Sequence, residues 1–259
     1  MNLNIKLNLL LIATTLFWVS AGHSVEVFQT NFTAEFVLKA RGAIVGRSTW
    51  SLSATKESLV YELESKTAGI AVLFSKDHIV ERSEWRPQGH ALKPYSYEYD
   101  RSGGKKEKQV SVEFLWNDAA VINTSHGKSW RMPVPDDAID KLSYVIAMMH
   151  DLNAGQSDFE YVIADGGKLK SYTLKSIGKE TLQTKVGSVE TTKVLRRRSD
   201  SLRETTFWCA PLYQYLPVKI EHRKPDGEVI TGYIQSVSGL EQDVATPLRQ
   251  GEAVIQRAD

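Results

Sequence analysis

Cysteine is nearly absent from this chain. Cys209 is the only one in 259 residues, so no disulfide can form within the chain, and a packed core rather than cross-links must hold the fold. Its neighbours Phe207, Trp208 and Ala210 mark Cys209 as a buried, inert thiol rather than a nucleophile. An excess of charge is absent as well. The chain has 32 Lys and Arg against 31 Asp and Glu, and Lys6 is the only charged residue before position 25. Beyond it the two signs balance, and they balance again on each side of Ser125, which excludes the basic field of a nucleic-acid binder.

Motifs of the common chemistries are missing too. There is no GxGxxG, and Gly127-Lys128-Ser129 lacks the earlier glycine of a phosphate loop, since position 122 is Ile122. The six histidines are scattered without an HExxH or an i, i+4 pair, so neither a metal nor a cofactor is expected. No GxSxG occurs, and the SxxK matches, Ser53, Ser102 and Ser125 among them, open no expected helix. No residue is therefore assigned a catalytic role, and the reading leans away from an enzyme. Asp136, Asp137 and Asp140 fit the dipole of a helix N-terminus better than an acid/base pair. In the basic triplet Arg196-Arg197-Arg198, strand geometry gives Arg196 and Arg198 a face that Arg197 does not share.

What the chain does have begins at its N-terminus. A polar start with Lys6, an apolar stretch from Leu7 to Val19 and the small residues Ser20, Ala21 and Gly22 make a secretory signal profile. The expected signal peptide is 1–21, with cleavage as late as Ser24 as the other option. The apolar stretch is about 13 residues, short of the roughly 20 that span a bilayer, and nothing downstream reaches 18. The expectation is an exported, periplasmic protein that is not an integral membrane protein.

Strict alternation follows. Phe28, Thr30, Phe32, Ala34, Phe36, Leu38 and Ala40 share one face of an expected strand, opposite Gln29, Asn31, Thr33, Glu35 and Lys39. Further strands are expected at 44–54, 59–67, 70–74, 78–85, 95–101, 108–116 and 119–123, then at 159–164, 169–177, 181–186, 189–198, 202–208, 218–223 and 228–237. Turn residues punctuate nearly all of them. One amphipathic helix is expected over Asp136 to Asn153, capped by Asp136, with Ile139, Leu142, Ile146 and Met149 on one face.

So many antiparallel strands must curl. The expected fold is mainly β: a single antiparallel domain over 25–238, an open or closed β-barrel with one helix, followed by an irregular tail over 239–259. A barrel of this size encloses more volume than side chains fill, which implies a ligand cavity. Aromatic and helix residues are the candidate lining: Trp85, Tyr95, Tyr97, Tyr99, Trp116, Ile146, Met149 and Trp208. Tyr95, Tyr97 and Tyr99 are expected on one face of a strand, against the competing reading of core packing.

Several segments carry a resemblance. These are Phe36-x-Leu38 with Gly42 and Gly46, Glu81-Arg82-Ser83-x-Trp85, Pro94-x-x-Tyr97, Asp140-x-Leu142-Ser143, Asp165-Gly166-Gly167-Lys168-Leu169, and Phe207-Trp208-x-Ala210-Pro211 through Tyr215 to Glu221. In this order they resemble an exported bacterial family known only as domain of unknown function number 3108. The resemblance implies a Gram-negative periplasmic setting and supplies no catalytic residues. The expected architecture is also similar to the half-barrel of periplasmic lipoprotein carriers, a likeness of fold alone. The functional expectation is a non-enzymatic protein that binds an apolar or amphipathic, lipid-like envelope molecule in the barrel. The alternative is an envelope interaction or assembly factor with a filled core and an envelope protein as partner, and an envelope hydrolase is third.

Overall fold

The computed structural model describes residues 31–88, 91–104 and 106–240. The expected signal peptide, the strand positions expected at 28–30 and residues 241–259 lie outside the described residues. Fifteen strands and one α-helix follow in order. The first eight strands are β1 (Phe32–Ala40), β2 (Ala43–Ala54), β3 (Leu59–Thr67), β4 (His78–Gln88), β5 (Ala91–Ser102), β6 (Lys108–Leu115), β7 (Ala120–Ser125) and β8 (Lys128–Pro133). Then come β9 (Ile139–Asp140), α1 (Tyr144–Asn153), β10 (Asp158–Asp165), β11 (Lys168–Thr184), β12 (Gly187–Arg198), β13 (Ser201–Ala210), β14 (Leu216–Arg223) and β15 (Val229–Ser238).

All strands belong to one sheet, ordered β8-β7-β6-β5-β4-β3-β2-β1-β15-β14-β13-β12-β11-β10-β9. The sheet is antiparallel apart from β9, which runs parallel to β10 through Ile139 with Ile163 and Asp140 with Ala164. It does not close by strand pairing. β1 sits at its centre, between β2 and β15, so the two ends of the described chain meet mid-sheet. Alternation explains β1: Phe32, Ala34 and Phe36 are buried while Thr33 and Glu35 are exposed. On that inner face Phe36 packs on Trp50 at 4.8 Å between ring centroids, and Trp50 meets Tyr61 edge-on at 6.3 Å.

The helix is shorter than expected. Pro135 and the residues after it form a turn, Ile139 and Asp140 join the sheet as β9, and α1 starts only at Tyr144. Asp136 is not its cap. The Asp140 carboxylate accepts from the backbone N–H groups of Leu142 and Ser143 at 2.8 and 2.9 Å, satisfying donors that the helix start would orphan. Tyr144, Val145, Ile146, Met148, Met149 and Leu152 are all buried, so α1 is apolar nearly all round and sits within the core. Tyr144 packs edge-on against Tyr172 of β11 and Phe207 of β13, which seats the helix start against the inner face of the sheet.

Other boundaries also differ. The strand expected over 70–74 is a 3-10 turn, Gly69–Leu73, in which Gly69 has φ of +61° and lies against the Ile44 carbonyl. The strands expected at 169–177 and 181–186 are one strand, β11, whose register shifts between Ser176 and Gly178 and leaves Ile177 unpaired. Leu240, placed in the expected tail, is buried, so packing extends past 238.

The edges of the open sheet approach each other through side chains. The Gly167 N–H, in the turn from β10 to β11, donates to Asn123 Oδ1 of β7 at 3.3 Å. Trp130 of β8 lies against Gly167 so closely that a Cβ there would fall 2.3 Å from the indole nitrogen. Lys93 of β5 donates to the Asp136 carbonyl at 3.1 Å and pairs with its carboxylate. A barrel-like wrap results, with a seam sealed by contacts rather than by a ladder.

Candidate functional site

Between the start of α1 and the inner faces of β2 to β4 and β10 to β14 lies a concavity of about 930 Å³. Its apolar wall is Trp50, Leu63, Leu142, Tyr144, Val145, Phe207 and Ile220. Its polar wall carries Lys108, Lys141, Lys170, Arg196, Arg198, Arg203 and His222 against only two carboxylates, Glu81 and Asp165. Strand geometry sets the division. Lys108, Lys170, Arg198, Ser201, Arg203 and His222 stand near strand ends, at the start of β6 and beside the turns 166–167, 199–200 and 224–228, so charge gathers at one end of the wrap.

Both carboxylates are engaged. Glu81 accepts from Lys141 Nζ at 3.0 Å and from the Tyr97 hydroxyl at 2.6 Å, and Asp165 pairs with Lys170 at 2.5 Å. Burial works against the charge of Lys141, but Glu81 outweighs it and holds the ammonium above its ordinary range. Arg198 pairs with Asp200. Among the described residues Arg196 has no such partner: its guanidinium donates to the Tyr144 hydroxyl at 2.9 Å and to Thr205 Oγ1 at 2.8 Å, and its Nε is buried without an acceptor. It stands over the rings of Tyr144 and Tyr172, 5.4 and 4.8 Å from their centroids. Arg197 points the other way, to Glu204 at 2.6 Å, as alternation requires. His222 shares Thr205 Oγ1 through Nδ1 at 3.0 Å, and burial, then Arg196, Arg203 and Lys224, push its pKa down.

Beside the concavity is a buried polar lock. The Ser83 hydroxyl of β4 donates to Asp140 Oδ2 at 2.6 Å, and Ser143 Oγ lies 2.7 Å from Ser83 Oγ and bonds the same carboxylate. The Trp85 indole donates to Ser143 Oγ at 2.7 Å and to Ser83 Oγ at 3.1 Å. Burial pushes the Asp140 carboxyl above its usual range although Ser143 and Ser83 hydrogen-bond it. These residues, with Glu81 and Tyr97, belong to the motif segments that carried the resemblance. Closed to solvent and mutually satisfied, the lock fastens β9 and α1 across β4 and has no open face for a substrate. The lock contains no histidine, and His222 bonds Thr205 instead.

The candidate residues read from sequence are dispersed. None of them lines the concavity. Trp85 belongs to the lock. Tyr97 is buried against Glu81, which with burial drives its hydroxyl pKa far up. Tyr99 is half-buried with Lys141 Nζ 4.8 Å from its ring centroid. Tyr95 does not share their face: β5 bulges where Glu84 pairs with Ser96 and Trp85 with Pro94, and the skipped Tyr95 lies exposed under Arg86. Trp116 stacks on Phe114 at 5.1 Å and donates to the Pro94 carbonyl, while Ile146 and Met149 are core residues of α1. Trp208 donates to Glu180 at 2.9 Å with Lys219 over its ring. Cys209 is fully buried, which pushes its thiol pKa well up and leaves it unreactive. Sequence reasoning missed Arg196 and Arg203; the shared face of Arg196 and Arg198 was the one available signal.

Among the described residues no helix is long and apolar enough to cross a membrane, and no group of His, Cys, Asp and Glu is placed to hold a metal. A family model described as a protein of unknown function, DUF3108, matches residues 31–235. No curated protein matches the sequence. Among solved structures, a beta-barrel-like protein of the domain of unknown function DUF1849 from Brucella abortus superposes with a TM-score of 0.55 at 8% identity, over 81% of this chain and 97% of that one. A protein with a YmcC-like fold from Bacteroides fragilis aligns over 81% of this chain and 96% of its own at 9% identity, with a TM-score of 0.32. The first likeness shows the beta-barrel-like fold and nothing of the activity.

Proposed function

The chain belongs to this family of unknown function, DUF3108, and we propose that it is a non-enzymatic, exported protein that holds an amphipathic, lipid-like molecule in the concavity beside α1. One observation carries the reading: the concavity joins an apolar wall to a cationic end, in a volume of about 930 Å³ within the usual range for small-molecule sites. A wholly apolar ligand suits it less, since it would strip water from the charged wall and return no hydrogen bonds. The apolar contacts are Trp50, Leu63, Tyr144, Phe207 and Ile220 rather than the tyrosines of β5. The N-terminal profile supports a periplasmic location. Native mass spectrometry of protein purified from the envelope fraction of its own host tests the reading, followed by solvent extraction. An extractable adduct is expected, depleted in Leu63→Arg. Adduct-free protein unchanged by that substitution overturns it.

A separate observation favours interaction with an envelope protein. In the turn after β3, Ile70, Leu73 and Phe74 are exposed, the last two at 80% and 74%, within an uncharged run from Ala68 to Phe74. Site-specific crosslinking from position 73 in cells should then capture one dominant protein that is lost on Phe74→Asp; crosslinks to no protein count against it.

A further inference from the structure

The polar wall contains more cation than its own carboxylates can answer. Two of its lysines and one arginine are paired, yet among the described residues no carboxylate lies within 4.0 Å of Arg196, Arg203 or Lys108. Arg196 is the least explained. An arginine held in a fixed place usually meets an anion in fork geometry. Here two of its nitrogens are spent on neutral hydroxyls, and the third is buried with no acceptor. The neighbours make the position rigid, because the Tyr144 and Tyr172 rings and Thr205 all hold the guanidinium. Rigid placement without a counter-charge is what a receptor for an anion requires, since the cost of ordering the side chain is met in the unliganded protein. Arg203 and Lys108 line the same concavity from β13 and β6.

We propose that this end of the concavity is an anion site, centred on Arg196 with Arg203 and Lys108 at its rim, which takes the phosphate or carboxylate head of an amphipathic ligand. The inference rests on the amphipath-binding reading and narrows it to one class of head group. The apolar wall beside it, from Leu63 to Phe207, receives the chain. Burial first, and then the cations Arg196, Arg203 and Lys224, lower the pKa of His222 beside this site.

The test uses the full chain without its signal segment and three probes in calorimetric titration: dodecyl phosphate, dodecyl maltoside and inorganic phosphate. Dodecyl phosphate should bind at least tenfold more tightly than dodecyl maltoside, and Arg196→Gln should shrink that ratio about tenfold. Arg203→Gln, at an exposed position where folding is not at stake, should shrink it by a smaller factor. Equal binding of the two amphipaths, insensitive to both substitutions, overturns the anion site and leaves the amphipath reading intact. Inorganic phosphate bound through Arg196, with no gain from the dodecyl chain, keeps the anion site but identifies a free anion as ligand and removes the amphipath reading. If no probe binds, both fall.

Discussion

Asp140 shows how one buried carboxylate organises its surroundings. It accepts hydrogen bonds from two backbone N–H groups and two serine hydroxyls, and those serines in turn receive the Trp85 indole. Asp140→Ala leaves these donors unanswered and should lower unfolding free energy in urea by on the order of 3 kcal/mol. Asp140→Asn keeps an acceptor for the two N–H groups and should lose about half as much. His222 makes the chain's stability sensitive to acid. Its folded pKa lies below the ordinary 6.5, so between the two values the unfolded chain binds a proton that the folded chain excludes. Stability should therefore fall as pH drops below 6.5 and level off once the folded value is passed. The groups facing His222 are Arg196 of β12, Arg203 of β13 and Lys224 after β14, all cationic. His222→Gln should flatten that part of a stability-against-pH curve, and an anion bound at Arg196 should raise the histidine pKa, read by NMR titration.

At the scale of elements, the seam tests how far the wrap depends on contacts without a ladder. Gly166 and Gly167 both have positive φ, +61° and +75°, so alanine at either bears a similar backbone cost of about 1 kcal/mol. Only Gly167 faces Trp130; around Gly166 a Cβ meets nothing within 4 Å. Gly167→Ala should cost at least about 1 kcal/mol more than Gly166→Ala in thermal melts and should shift the Trp130 fluorescence to the red. Equal costs would mean that the seam is not held by this contact. Strands with one wet face were legible in the sequence, as in β1, because burial alternates with period two. β8 was not, since nearly all its side chains are exposed and an edge strand with two wet faces has no apolar rhythm. The helix start was misplaced because Ile139 and Leu142 fit helical spacing, yet they are buried as part of β9 and the turn after it.

The whole molecule explains why the site was harder to read than the fold. A concave wall open to water has the composition of a surface, so Arg196, Arg203 and His222 carry no sequence mark of facing inward. Aromatic residues carry a strong mark, but Tyr97, Trp85 and Trp208 are spent on core and cross-strand contacts. The balance of charges beyond Lys6 hides a local separation of charge that only the wrap creates. The same wrap places its ends informatively. β1 and β15 are paired at the centre of the sheet, and Gly239 lies against Asn31 and Phe32, while the seam brings β7 and β8 against the turn between β10 and β11. Joining residue 31 to residue 240 through a short glycine-rich linker should therefore add little loop-closure cost. New ends cut at the exposed His126-Gly127 turn break only the β7–β8 hairpin connection, and the linker newly joins β15 to β1. That permutant should unfold in one cooperative transition within about 2 kcal/mol of the parent and keep its dodecyl phosphate binding. A chain ended at 228, which lacks β15, should not fold, because its loss separates β1 from β14 and cuts the sheet into two halves that cannot enclose α1.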